Sequence, residues 1–421
     1  MGFIIISEGG DGLGLALRLQ KEGHSVSMFI KDPIADQRGE GLVEKHKSPD
    51  YTNTLITDCT GSGSIIDSYI SAGGRAFGGS QVADRLESDR KYASEVFKNA
   101  GIREPFSKRF TEWESAAEFI SEWDRDTKLV FKPEGKFSGV VPSYVPHDNK
   151  ELLEMLEHYK EVIGNETEFV LQEFVEGTCI SSEAWVSKGH MLSPFNHTLE
   201  RKQLMDGDLG PSGGCTGNVV WACFEDSCPL CDNLHALEAF LDSCQYTGCI
   251  DINTVVTKEG DIYALEFTPR FGYDAFPTFL YGLFDGDFGE FVGACCRGDS
   301  PELPLKNGFA AGVRISIPPW PSEEFHAKSG LPIRGLRKSD FDKFYSYEVG
   351  LQEDSLVTSG GYGIIGVAIG YSEEGIEEAF EEAYKVAEKI RIPDKQYRTD
   401  LVEVFSKEYR VIERSMLVND H

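Results

Sequence analysis

The sequence predicts a mixed fold, α/β at its start and α+β beyond, divided into more than one domain. Three observations carry this. The first third alternates apolar runs, "FIIIS", "SVSMFI", "TLITDC" and "RAFGG", with helical stretches, the mark of a parallel βαβ series. The next stretch sets strand-loop-strand patterns around a single helix, which suits a small α+β unit. At 421 residues the chain is also long for one hydrophobic core, so about two to four domains or subdomains are expected.

In chain order, "FIIIS" is a first buried strand, followed by the turn "GGDGLG", the helix "LALRLQKEGH" and a second strand "SVSMFI". "GSIIDSYISAGG" is a helix between two further short strands. "SDRKYASEVFKNAGI" is a helix with Ser88 as cap, Tyr92, Val96 and Phe97 as apolar stripe and Gly101 as stop. "KLVFKPEGKFSGVVPSYV", the helix "ELLEMLEHYKEVI" and "EFVLQEFVEGTCISSEAWVSKGH" follow. A glycine-rich loop is expected over "NHTLERKQLMDGDLGPSGGCTGN". A helix starts near Pro229, and "GCIDINTVVTKEGDIYALEFTPRFG" folds back at Glu259-Gly260 as a hairpin. The final unit holds the strands "AAGVRISIP" and "GYGIIGVAIG". It also holds an amphipathic helix with Ile376, Ala379, Phe380, Ala383, Ala387 and Ile390 on one stripe.

Charge and composition exclude several roles. The chain carries 41 basic and 70 acidic side chains, a formal −29, a field that repels phosphate backbones and anionic lipid. Neither nucleic acid nor membrane is therefore an expected partner. No apolar run approaches the ~18–20 residues of a membrane span, and "MGFIIISEGG" has neither the basic flank of a signal peptide nor the pattern of a myristoylation site. A cytoplasmic protein, monomer or homodimer, is expected. Ten cysteines are too few for a disulfide scaffold and read as reduced thiols. Cys223, Cys228, Cys231 and His235 have a spacing that could hold zinc, but only one CxxC is present. Small apolar filler at a loop-to-helix junction is the reading preferred for them.

Two places carry chemistry. Lys132 ends the strand "LVFKP" and precedes Glu134-Gly135-Lys136-Phe137-Ser138-Gly139, a point charge and a flexible loop of the kind that meets nucleotide phosphates. In "ALEFTPRFG", Glu266, Thr268 and Arg270 alternate onto one face, opposite Asp251 or Asn253 across the hairpin. Glu266 with Asn253 or Asp251 offers the partial oxygen shell that Mg²⁺ takes when phosphates and water supply the rest. Arg270 suits negative charge developing at a reacting centre. The motif Gly10-x-Gly12-x-x-Leu15 lacks a third glycine, no acidic residue ends the second strand, and a nicotinamide oxidoreductase would rest on that loop alone.

The order of these pieces resembles the ATP-grasp superfamily and, within it, the glycinamide ribonucleotide synthetase (phosphoribosylamine–glycine ligase) family. "LQEFVEG" at 171–177 resembles the hinge strand, "DGDLGPSGGCTG" at 206–217 the substrate loop, and "LEFTPRFG" at 265–272 the metal-binding strand. "LVTSGGYGIIGVAIG", "EEAYKVAEKI" and "QYRTDL" resemble the C-terminal domain. The resemblance implies a Rossmann-like (pre-ATP-grasp) domain at 1–103, an ATP-grasp core at 104–300 with a lid over about 108–180, and a closing domain at 301–421.

It also implies an ADP-forming carboxylate–amine ligase of purine biosynthesis, working through an acyl phosphate. Its cofactors would be ATP and Mg²⁺ or Mn²⁺, its partners two small molecules, an amino acid and an amine. Lys132 and Lys91 would contact phosphates, and Gln172, Glu173 and Val175 would frame adenine. Glu266, Asn253, Asp251 and Thr268 would supply metal ligands, while Arg270 and Asp208 would face the acyl phosphate. Gly10, Asp11, Lys202, Gly210 and Gly214 would meet substrate.

The departures lie at the substrate end. Gly9-Gly10-Asp11-Gly12-Leu13 stands where the family has Gly-Gly-Arg-Glu-His, and Thr268 replaces a metal-ligand Asn. Cys179 stands where an acidic residue often contacts ribose, so Glu183 on the same strand face is the expected substitute. The substrate loop reads Ser-Gly-Gly-Cys-Thr-Gly in place of Asn-Thr-Gly-Gly-Met-Gly. A ligase with another amine acceptor, or a non-catalytic ATP-binding protein, would follow if those changes redirected or removed the acceptor.

Overall fold

The computed structural model describes residues 1–35, 37–46, 52–135, 140–165, 167–224, 228–322 and 324–416. It opens with five parallel strands, β1 (Gly2–Ser7), β2 (Ser25–Ile30), β3 (Glu44–Lys45), β4 (Thr54–Thr57) and β5 (Arg75–Phe77), in the order β3-β2-β1-β4-β5. Helices α1 (Leu13–Lys21) and α2 (Gly63–Ser71) make crossovers, and α3 (Gln81–Ser88) and α4 (Arg90–Ala100) lead out of the sheet. Strand β1 is buried on both faces, which is why it reads as an unbroken apolar run. Ser88 closes α3 rather than capping α4. The cap is Asp89, whose carboxylate accepts the Tyr92 N–H at 3.0 Å, and Gly101 ends α4 at φ 73°.

A small antiparallel sheet follows, β6 (Ser107–Phe110), β7 (Leu129–Pro133) and β8 (Phe169–Glu173), ordered β6-β8-β7 and backed by α5 (Trp113–Ser121) and α6 (Asn149–Ile163). It has its own core around Trp113, Phe131, Tyr159 and Phe169. Lys136 to Gly139, the middle of the expected glycine loop, lie outside the described residues.

The largest layer is an antiparallel sheet of eight strands. The first five are β9 (Thr178–Ser187), β10 (His190–Met205), β11 (Leu209–Cys223), β12 (Gly248–Val256) and β13 (Ile262–Thr268). The stretch expected as a glycine-rich loop is mostly ordered ladder, with β10 and β11 pairing from Phe195↔Cys223 to Met205↔Leu209 around the turn Asp206–Asp208. Its glycines sit in register-shifted positions of a twisted ribbon, which a glycine count cannot separate from a loop. Helices α7 (Pro229–His235) and α8 (Glu238–Ser243) link β11 to β12, and α9 (Ala275–Thr278) and α10 (Phe288–Arg297) follow β13.

The chain then adds β14 (Phe309–Ser316), β15 (Ala327–Pro332), β16 (Phe344–Ser346), β17 (Val349–Gln352), β18 (Ser355–Gly361) and β19 (Ile364–Ser372). Three of these extend the large sheet, in the order β13-β12-β9-β10-β11-β14-β19-β16. β15, β18 and β17 form a separate small sheet. Helix α11 (Ile376–Lys389) packs on β19 and β14 through its predicted apolar stripe. Helix α12 (Leu401–Met416) ends the described chain. One hydrophobic core joins the first sheet, the large sheet and α11, from Phe3 and Leu19 through Trp185 and Phe279 to Phe344 and Phe380.

Candidate functional site

Among the described residues, two of the cavities along the large sheet hold side chains singled out in the sequence. The smaller, about 370 Å³, lies between α4, the three-stranded lid and β13, and is lined by Lys91, Lys132, Gln172 and Glu266 among others. Strand alternation delivers Lys132 here, because its neighbours Phe131 and Pro133 are buried in the lid. Burial, then the nearby Arg90 guanidinium, pull the Lys132 ammonium down to about 8, against the attraction of Glu266. Arg90, which sequence reasoning missed, opens α4 beside it. Glu134 is held by a two-pronged pair with Arg109 (Nη2–Oε1 2.8 Å), which fixes the start of the loop that leaves Lys132. Lys202 pairs with Glu200 at 3.1 Å, and that carboxylate lifts its ammonium.

The hairpin register is the predicted one, Asn253↔Glu266 and Asp251↔Thr268. A bulge beyond Asn253 re-aims the strand, so Ala264 and Phe267 are buried while Glu266 is exposed and not embedded among apolar neighbours. The amide of Asn253 donates to Thr268 Oγ1 at 3.0 Å and to Asp251 Oδ1 at 3.1 Å, and its carbonyl accepts the Ser181 hydroxyl at 2.7 Å. Of the expected oxygen ligands for Mg²⁺, Glu266 lines the cavity, whereas Asn253 and Thr268 are bonded to each other and line neither cavity. Asp251 lines neither cavity: it is buried, and desolvation followed by the charge of Glu183 pushes its carboxyl well above the usual range. Glu183 is likewise corrected: it is buried on β9, accepts Asn196 Nδ2 at 3.1 Å, is raised by burial to about 7 and does not reach the cavity. Glu173 pairs with Arg125 at 2.5 Å and Thr127 at 3.0 Å, and neither it nor Val175 lines the cavity by its side chain.

The larger cavity, about 570 Å³, sits at the C-terminal edge of the first sheet and is roofed by the β11 glycines and the C-terminal strands. Asp11, Gly214 and Arg270 line it as expected, whereas Gly10, Gly210 and Lys202 do not. Gly10 takes φ 85° with its N–H donating to Ser7 Oγ at 2.8 Å, and an added Cβ would meet the Arg38 side chain at 2.9 Å. Arg270 donates to Glu87 at 2.8 and 3.2 Å, with its guanidinium 4.5 Å from the Tyr273 ring. Because Glu87 lines both cavities, this pair is their common wall. Asp208 is not beside Arg270: it sits at the β10–β11 turn, takes Arg398 at 2.7 Å and does not line the cavity.

Two buried ion pairs unforeseen in the sequence build this cavity. Arg38 bonds Asp11 at 3.1 Å, the Gly9 carbonyl and Glu348, and Glu348 also accepts the N–H groups of Tyr362 and Gly363 at 2.9 and 2.6 Å. Arg314 grips Asp274 at 2.7 and 2.8 Å and the Gly213 carbonyl at 2.6 Å. Carboxylates still dominate the wall, with Glu8, Asp11, Asp32 and Asp58 from the first sheet. Burial, then the charge of Asp11, raise Asp58 to about 7, although Ser7 donates to it. The ion-paired side chains lie from 27 to 310 positions apart, so no local pattern announces them.

Residues 88–275 match the family model described as phosphoribosylglycinamide synthetase, ATP-grasp (A) domain. Among curated proteins, a phosphoribosylamine–glycine ligase of Caldanaerobacter subterraneus is 27% identical over 355 residues, covering 80% of this chain and 81% of that protein. The ligase of the same name from Neisseria meningitidis is 24% identical, covering 96% and 99%. Among solved structures, phosphoribosylamine–glycine ligase of Thermotoga maritima superposes with a TM-score of 0.71 at 21% identity, covering 95% of this chain and all of that one, and so shares its fold. Residues 88–275 thus match an ATP-grasp domain, the chain has an ATP-grasp fold, and it resembles the phosphoribosylamine–glycine ligases, with substrate-end motifs of its own.

Proposed function

We propose that the protein is an ADP-forming carboxylate–amine ligase, phosphoribosylamine–glycine ligase or a close sister, that activates its carboxylate as an acyl phosphate. The observation that carries this reading is the pairing of a cavity holding Lys132 and Glu266 with a second, acid-lined cavity across the Glu87–Arg270 wall.

ATP enters the smaller cavity. Lys132 and Lys91 meet its phosphates, and the backbone of 172–175 borders the adenine. Glu266, with Asn253 or Thr268, would hold Mg²⁺ or Mn²⁺, an ion that would neutralise phosphate charge. The terminal phosphoryl passes to a carboxylate oxygen, breaking its bond to ADP. Arg270 stands at the wall where that charge collects. The amine nitrogen then attacks the acyl carbon, phosphate departs and the amine loses a proton. Asp58, poised near neutrality, is the group in the acceptor cavity suited to take that proton.

One observation favours the sister ligase. Glu8, Asp11, Asp32 and Asp58 concentrate negative charge in the acceptor cavity, a setting that disfavours a phosphorylated amine and favours a cationic or hydroxylated one. ADP release from Mg-ATP with glycine and freshly generated phosphoribosylamine, each omitted in turn, decides. Dependence on both supports phosphoribosylamine–glycine ligation. Dependence on glycine alone, with turnover restored by a non-phosphorylated amine, supports the sister. If Arg270→Ala leaves ATP affinity intact and no substrate pair supports ADP release by the unaltered protein, the ligase reading fails.

A further inference from the structure

We propose that His197, Cys223, Cys228 and Cys231 form a structural zinc site, apart from both cavities described above. The four come from three elements: His197 from β10, Cys223 from the end of β11, and Cys228 and Cys231 from the start of α7. Their ligand atoms all lie within 4.8 Å of one another. The separations are those of a tetrahedron waiting for its centre. Zinc bonds of ~2.3 Å to sulfur and ~2.0–2.1 Å to nitrogen set edges of about 3.8 Å between sulfurs and about 3.6 Å between sulfur and nitrogen. Here Cys223 and Cys231 Sγ are 3.7 Å apart, and His197 Nε2 is 3.7 Å from Cys228 Sγ and 3.9 Å from Cys231 Sγ.

The surroundings suit the metal. His197 is 2% exposed, and its Nδ1 lies 2.9 Å from Ser182 Oγ. With Nδ1–H donating to that hydroxyl, Nε2 turns its lone pair to the three sulfurs, the outer-shell arrangement that orients metal-binding imidazoles. The Trp221 ring, 5.7 Å from the His197 ring between centroids, closes one side. His235, the histidine nearest in sequence, packs on Phe195 and is not in the cluster. The sulfurs are too far apart for a disulfide, which needs ~2.05 Å. The ligands are too close together for an iron–sulfur cluster, whose cysteines are spread over several metal atoms. Three thiolates and one imidazole, all from protein, leave no open position, so the site is structural and not catalytic. It would clamp α7, which leads to the metal-side hairpin, onto the β10–β11 ribbon.

Metal analysis of the full chain purified without chelator tests this. One zinc ion per chain is expected, with three thiols shielded from a thiol reagent until a chelator is added. His197→Ala and Cys228→Ser should lose the metal, whereas His235→Ala should keep it. If the cysteine variants fail to fold, Co²⁺ added to the chelator-stripped native chain decides, through tetrahedral ligand-field bands with thiolate-to-cobalt charge transfer. Absence of both bound zinc and that spectrum overturns the proposal. So does a Cys223–Cys231 disulfide found by peptide mapping, or metal lost in His235→Ala but kept in His197→Ala.

Discussion

Lys132 holds its charge in a setting that opposes it. Its folded pKa of about 8 lies below that of a free lysine, so between those values the unfolded chain binds more protons and stability rises with pH. Below about pH 8 the opposition is complete. Lys132→Met should therefore raise the Tm of the nucleotide-free protein at pH 7, by an amount that shrinks toward pH 10, while ATP affinity falls at least tenfold. Calorimetry and nucleotide titration on one sample would check both. In the unaltered protein, the KM for ATP should climb above about pH 8 as the ammonium is lost. Asp58, at about 7, predicts an acidic limb in kcat/KM for the amine that Asp58→Asn removes, in a pH–rate profile with the amine well below its KM. Lys132 stood out as a lysine on a strand before a glycine loop, and Glu266 through strand alternation, which says which side chains share a face. The burial of Asp251 was not legible, since alternation is silent about how deeply a face is buried.

Elements were legible where a local pattern sufficed. The β12–β13 register followed from one turn, and the α11 stripe from its 3.6-residue period. The α4 cap was off by one residue because Ser88 and Asp89 are both good caps, and only the end of α3 at Ser88 decides between them. Asp89→Ala should cost about 1 kcal/mol, read by denaturant titration, and loosen the turn that carries Arg90 and Lys91. Acid should do the same. The Tyr92 N–H lowers the Asp89 pKa, so this contribution is lost as pH falls through the folded value. The β10–β11 ribbon was misread because its stability comes from partners far away. Arg398 holds Asp208 and the Gln203 carbonyl, and Asp400 and Thr399 bind the turn backbone and Asp206. Arg398→Ala should make the 203–211 turn the first site of cleavage in limited proteolysis, with the lid cut no faster.

At the scale of the whole molecule, the parallel start and the later α+β character were legible, but the way the C-terminal strands join the large sheet was not. That union depends on side-by-side pairing of β11 with β14, segments about ninety residues apart. Buried charge ties the C-terminal strands to the N-terminal unit as well. Glu348→Ala leaves Arg38, 2% exposed, with Asp11 and the Gly9 carbonyl but without its buried carboxylate and should cost about 3 kcal/mol, whereas Arg38→Met with Glu348→Leu should recover most of it. Chemical denaturation of the three variants against the native protein would check the difference. The shared sheet has a further consequence. A fragment ending before Phe309 would leave β11, from Gly217 to Trp221, as an open edge without its β14 partner. Such an open flank recruits other copies of itself, so pieces of this chain made separately should clump rather than assemble, and the gene cannot be split at that point without supplying the missing neighbour strand.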